Sequence, residues 1–295
     1  MLSGFSTYPK TTSRGTHNGL EAFYQNNQLS PQWFTINPQR FTTIVGKYGT
    51  RIVFPPFALT TDEGQAVTGT VQLALFELVN KSDMILAKTY SSSEDNALEV
   101  AGQIYLQAYQ DGMSLRLSKP TPIEMPLWHD VTNPLALRLY GSSYSSTYTV
   151  VEQASFEWKM IDKRRVKLKK QGDQKYLHFF LLDFDWVCCA QAIQKKGNGL
   201  MVSAKYVHAL EELDSKIALL SFNNSNGIVR MHSSANRFSR FNIPTKQSAT
   251  VMIIGSLGHR LFAGTTHIEK LNKEVIRTHL KEVNENEILA MIYSL

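Results

Sequence analysis

Between residues 104 and 117 the chain alternates apolar and polar side chains on both sides of an Asp111-Gly112 pair. Ile104, Leu106 and Ala108 fall on one face and Tyr105, Gln107 and Tyr109 on the other, and Leu115 and Leu117 resume the pattern beyond the turn. A period of two belongs to strands, and Asp-Gly supplies the positive φ angles of a tight hairpin. The same grammar recurs elsewhere. Val71, Leu73 and Leu75 share one strand face, Pro55-Pro56 restricts its neighbourhood to an edge or loop, and Pro120, Pro122 and Pro126 bracket a short strand around Ile123. Further strands are predicted at 175–186, 200–207, 216–222, 227–232, 238–243 and 249–256, the spacing of a small sandwich.

These signals predict a mainly β protein with two β-sandwich-like domains and a C-terminal amphipathic helix. At 295 residues the chain is long enough for two cores, and 43% hydrophobic residues suffice to fill them. Residues 1–40 read as an irregular, polar lead-in, with a short helix around 20–25. The first sandwich is predicted over 41–130 and a Ser/Tyr-rich linker or excursion, centred on Tyr140 to Tyr148, over 131–160. The second sandwich follows over 161–265 and a helical segment over 266–295. Thr266 and Glu269 have capping-box spacing, ahead of a stripe made by Ile268, Leu271, Val275, Ile276, Leu280 and Val283. Asn284-Glu-Asn-Glu287 is expected to interrupt that helix before Ile288, Leu289 and Ile292 present a last apolar face.

The residues argue against several chemistries. No 18-residue apolar run exists to span a membrane, and the opening Met-Leu-Ser-Gly-Phe-Ser has neither a basic leader nor a long apolar segment, so either no export signal existed or it was removed ahead of this numbering. Cys188 and Cys189, the two cysteines, are adjacent, so a strand would aim them at opposite faces as packed thiols. No histidine pair has the four-residue spacing of a helical metal site, and neither a cofactor motif nor a nucleophile elbow is present. Asp183 and Asp185 would share a strand face, as paired carboxylates or calcium ligands, or more commonly as the solvent face of an amphipathic strand. No catalytic residue, metal or cofactor is therefore assigned.

Charge is the most directive polar feature. The net charge is +6, and Lys163-Arg-Arg-Val-Lys-Leu-Lys-Lys170 packs six cations into eight residues. On a strand Lys163, Arg165, Lys167 and Lys169 would project to one side, with Arg164 and Lys170 on the other. Such a row suits phosphates or acidic sugar, and it equally suits an exposed edge protected from aggregation. No aromatic side chain interrupts the run, which argues against a nucleic-acid reader.

The segment from Thr43 to Pro126 resembles the ZU-five-like β-sandwich shared by zonula-occludens scaffolds, netrin receptors and ankyrins, in the form found in Bacteroidota envelope proteins. Carrying the likeness are Val45-Gly-Lys-Tyr-Gly-Thr-Arg-Ile-Val-Phe-Pro-Pro-Phe-Ala-Leu59, Gly64-Gln-Ala-Val-Thr-Gly-Thr-Val71, Glu77, Lys81-Ser-Asp-Met-Ile-Leu86 and Leu98-Glu-Val-Ala-Gly-Gln-Ile-Tyr105. The later Leu182-Asp-Phe-Asp-Trp-Val-Cys-Cys189 is similar to the Trp-x-x-Cys segment of the module that follows it in those proteins. The closing Glu285 to Leu295 suits their terminal helix. Some relatives cut themselves at His-Phe-Ser, where this chain has His178-Phe-Phe180.

The resemblance implies a non-catalytic structural or interaction subunit of a cell-envelope assembly, periplasmic or at the cell surface, docking a larger protein. Lys163, Arg164, Arg165, Lys167, Lys169 and Lys170 are the expected partner or anion contacts, with an acidic glycan as a further ligand. Ile288, Leu289 and Ile292 are the expected docking face of the last helix. The competing expectation is a carbohydrate-binding surface protein or a hydrolase with its site at the domain junction.

Overall fold

The computed structural model describes residues 19–93, 96–143, 157–162, 166–193, 199–207, 212–235, 237–245 and 247–295. The protein is mainly β, as its alternation requires, with two β modules and three α-helices among the described residues.

Two sheets form the first module. One runs in the order Gln32–Ile36, Val71–Leu78, Asn96–Gln110, Asp185–Ala192, Arg138–Ser143, Glu157–Asp162. The other is five-stranded, in the order Lys167–Gln171, Gln174–Leu181, Thr121–Pro126, Arg51–Phe54, Thr42–Val45. Between them pack Ile52, Leu73, Leu106, Ile123, Leu177 and Val187. The Asp111-Gly112 turn has φ angles of 52° and 81° and joins Gln110 to Met113 across the expected hairpin.

The second module is one eight-stranded sheet. Val275–His279 lies parallel to Leu200–Val207 at one end, and Lys281–Val283 lies antiparallel to Arg260–Ile268 at the other. A single stretch of chain thus joins both edges, which closes the sheet on itself and removes its open rims. Gly264 permits this closure, because a Cβ there would collide with the main-chain oxygen of His279. Val202, Leu220, Val229, Phe238 and Phe262 fill the interior.

A third apolar cluster welds the modules together. Phe76, Leu98, Val100, Trp158 and Trp186 meet Leu219, Met252 and Ile254 of the closed sheet. The helices α1 (Gly19–Asn26), α2 (Lys81–Leu86) and α3 (Glu285–Tyr293) contribute Phe23, Met84, Ile85, Ile288 and Ile292 to the same cluster. Ser91 adds a polar link, its amide and hydroxyl each donating to the Ile228 carbonyl at 2.7 Å. Asn96–Gln110 is buried on both sides over most of its length, since one face looks into the sandwich and the other into this junction.

Several boundaries differ from those read in the sequence. Residues 166–192, expected in the second module, hydrogen-bond into the sheets of the first, and Asp185–Ala192 lies at its centre against Asn96–Gln110. The expected linker contains the strand Arg138–Ser143, with Tyr140 buried in the junction, and most of the strand Glu157–Asp162, while residues 144–156 lie outside the described set. Such pairings span many residues, and no local pattern encodes them. Within the expected lead-in, Gln32–Ile36 is an edge strand, and α1 occupies the position of the expected short helix.

The helix expected from 266 is replaced by strands. The Thr266 hydroxyl donates to the Arg277 carbonyl at 3.2 Å, across the edges being closed, and caps no helix. Leu271, Leu280 and Val283 are buried from loop and strand positions that mimic a helical stripe. Asn284, read as an interruption, is the N-cap of α3, with Glu287 completing a capping box.

Candidate functional site

Two surfaces gather polar side chains that the cores do not consume. The first is the solvent-facing side of the five-stranded sheet. Register places Glu124 opposite both Arg51 and His178, Lys167 opposite His178, Lys169 opposite Tyr176 and Phe180 opposite Pro122. Lys167 and Lys169 therefore project to one side of an edge strand, as the alternation predicted. Glu124 pairs with Lys169 at 3.6 Å and with Arg51 at 3.9 Å. These separations at exposed positions contribute little to stability. Lys167 and Lys170 make no ion pair among the described residues. Lys163, Arg164 and Arg165 lie outside the described residues.

Phe180 is 47% exposed within this face, its ring edge-on to His178 with centroids 5.5 Å apart. Partial burial and then the charge of Lys169 hold His178 below the usual imidazole range, against the opposing pull of Glu124. The surface is thus a cationic edge beside an exposed aromatic ring.

The α3 residues do not form a free docking face. Ile288 and Ile292 are fully buried in the chain's own junction, and Leu289 packs against the same cluster. The helix is amphipathic because it covers an internal core, so these side chains are unavailable to a partner. Asp183 and Asp185 are likewise not paired on one strand face. Asp183 sits in a bend where its carboxylate accepts from the Phe184 amide, whereas Asp185 begins the strand with φ 146° and accepts from Ser142 at 2.7 Å. No cluster of three metal-ligating side chains occurs among the described residues.

The second surface is a cleft of about 490 Å³ where the modules meet. Asn80 and Lys81 enter it from the start of α2, and His129 follows the strand Thr121–Pro126. Ser225 and Asn226 come from the turn between Ser215–Phe222 and Gly227–Ser234, and Tyr293 closes α3. Lys81 Nζ donates to the main-chain oxygens of Phe222, at 2.7 Å, and Leu295, at 3.0 Å. Burial lowers this ammonium to about 8. Nothing local in the sequence marks these residues, which converge from four separate segments between Asn80 and Leu295. The one available signal was the prediction of two modules, which implies a junction. No family model matches the chain, and neither a curated protein nor a solved structure matches it.

Proposed function

We propose that this chain is a non-catalytic interaction subunit of a bacterial cell-envelope assembly, periplasmic or at the cell surface, that docks a larger protein. The observation carrying the reading is the exposed Phe180 ring on the same open sheet face as Arg51, Lys167 and Lys169. An aromatic anchor rimmed by cations is the composition in which binding energy concentrates at protein interfaces. The residues of the ZU-five-like resemblance supply two strands of that sheet, Arg51–Phe54 and Thr121–Pro126. The apolar junction favours a rigid body, and a preorganised surface loses little entropy on docking. The expected partner surface is acidic.

The test is affinity purification from the native envelope with the wild-type chain and with a Phe180→Ala, Lys167→Glu, Lys169→Glu variant, at matched thermal stability. A protein captured by the wild type and lost by the variant supports the reading. Equal capture by both chains, or binding of an acidic polysaccharide at this face in place of any protein, overturns it.

A further inference from the structure

The junction cleft holds hydrogen-bonding groups that the fold uses only in part. Asn80 commits its Oδ1 to capping α2, accepting from the Ser82 hydroxyl and from the Asp83 amide at 3.0 Å. Its amide N–H donors remain. Asn226 is committed the other way: its Nδ2 donates to the carbonyls of Val79 and Val100, both at 3.4 Å, and its Oδ1 remains an acceptor.

His129 Nε2 lies 2.7 Å from the Val79 main-chain oxygen. A carbonyl oxygen only accepts, so Nε2 carries a proton, and in the neutral ring Nδ1 is left as an acceptor. Lys81 uses two of its three N–H donors on main-chain oxygens. Asp130 lines the cleft with an exposed carboxylate that pairs with Lys175 at 3.4 Å. Beside these groups stands the ring of Tyr293, 64% exposed.

The balance of these groups selects a ligand class. An anion requires donors alone, and a cation requires acceptors alone. This cleft offers both, together with one positive and one negative side chain and an aromatic surface. A hydroxyl donates and accepts at once, so adjacent hydroxyls on a rigid ring can use amide N–H, amide oxygen and imidazole nitrogen together. The C–H face of such a ring packs on a phenol, a surface apolar on its plane and polar at its tip. The volume of about 490 Å³ falls within the range of ~300–1,000 Å³ typical of small-molecule sites.

We propose that the junction cleft is a binding site for a neutral saccharide, held by Asn80, Asn226, His129 and Lys81 against the ring of Tyr293. It shares no residue with the sheet face assigned to partner docking, and the two readings stand or fall separately.

The test titrates the full chain with maltose, lactose, cellobiose and chitobiose, and with inorganic phosphate, while following the side-chain amide resonances of Asn80 and Asn226. At least one disaccharide is expected to shift both resonances saturably, with phosphate leaving them in place. Tyr293→Ala, an exposed substitution, is expected to weaken that binding by roughly tenfold, the equivalent of about 1.4 kcal/mol. The proposal is overturned if none of the four sugars moves these resonances, if phosphate alone does, or if Tyr293→Ala binds as the wild type does.

Discussion

Cys188 and Cys189 are neighbours in sequence whose side chains lie in different cores, Cys188 in the junction between modules and Cys189 inside the first sandwich. Strand alternation at the centre of the sheet causes the division. Burial raises both thiols above their usual range, with the neighbouring Cys189 adding to the effect on Cys188. Neither thiol is expected to react with Ellman's reagent in the native protein at neutral pH, and both should react after denaturation. Cys189→Ser, which buries a hydroxyl among apolar groups, is expected to destabilise the fold by about 1–3 kcal/mol. Rapid labelling of the native protein would show that the strand does not sit between two cores.

The apolar junction makes a second prediction, about cooperativity. Ile288 and Ile292 are buried against side chains from both modules, so truncating either should loosen the whole molecule. Ile288→Ala is expected to cost about 2–5 kcal/mol. Unfolding, followed by tryptophan fluorescence and by far-ultraviolet circular dichroism, should remain one coincident transition shifted to lower denaturant. Two separated transitions in the wild type would mean that the modules fold independently.

Glu77 shapes the turn from Gly46 to Gly49. Its carboxylate accepts from the amide nitrogens of Tyr48, at 2.9 Å, and Thr50, at 3.0 Å, and from Gln32 Nε2 at 2.9 Å. A Cβ at Gly46 would collide with that carboxylate, which explains the glycine. Glu77→Ala leaves the buried Thr50 amide without its acceptor and is expected to destabilise by about 3 kcal/mol. Faster amide exchange confined to residues 46–50 would be the local signature, and unchanged exchange there would refute the role.

Much of this architecture is legible in the sequence where the signal is local. The Asp111-Gly112 hairpin, the facing of Cys188 and Cys189, and the shared side of Lys167 and Lys169 all follow from a period of two. Pairing partners do not. The Gln174–Leu181 strand reads identically whether it joins Thr121–Pro126 or a later strand, and its true partner is fixed by burial summed across the sandwich. The stripe from Ile268 to Val283 failed for a related reason: with most of its apolar residues three or four apart, turns between short strands reproduce a helical spacing. The cleft was invisible because each of its groups is an unremarkable polar residue until the modules meet.

Two histidines give the molecule a pH dependence. Burial first and nearby cations second lower His178 and His232 below the usual imidazole value, Lys169 and Lys167 acting on one and Arg240 and Arg230 on the other. Glu124 and Glu157 respectively oppose the shift. The folded state thus favours the neutral ring. Stability is complete above the unfolded value of about 6.5 and declines as pH falls through it toward the lowered folded values. At His232 the cause is visible: Arg240 Nη1 donates to Nε2 at 3.0 Å, which an imidazolium cannot accept. His232→Gln, retaining an acceptor without a titrating proton, should lose less stability than the wild type between pH 7.5 and 5.5. Equal losses would show that this pair does not sense pH.

Lys81 supplies a prediction at the other end of the scale. Its side chain is almost buried, and desolvation lowers the ammonium to about 8 from an ordinary 10.5. Below pH 8 the lysine is charged in folded and unfolded states alike, and the fold bears the desolvation cost in full. Between pH 8 and 10.5 the unfolded chain holds the proton more tightly, so this group's contribution becomes more favourable as pH rises. NMR titration of the lysine side-chain ¹³Cε resonances in uniformly ¹³C-labelled protein should show one lysine with a midpoint near 8, below those of the exposed lysines. Lys81→Met should delete that resonance alone. A Lys81 midpoint grouped with the surface lysines would mean that its ammonium is solvated and that the junction is open around it.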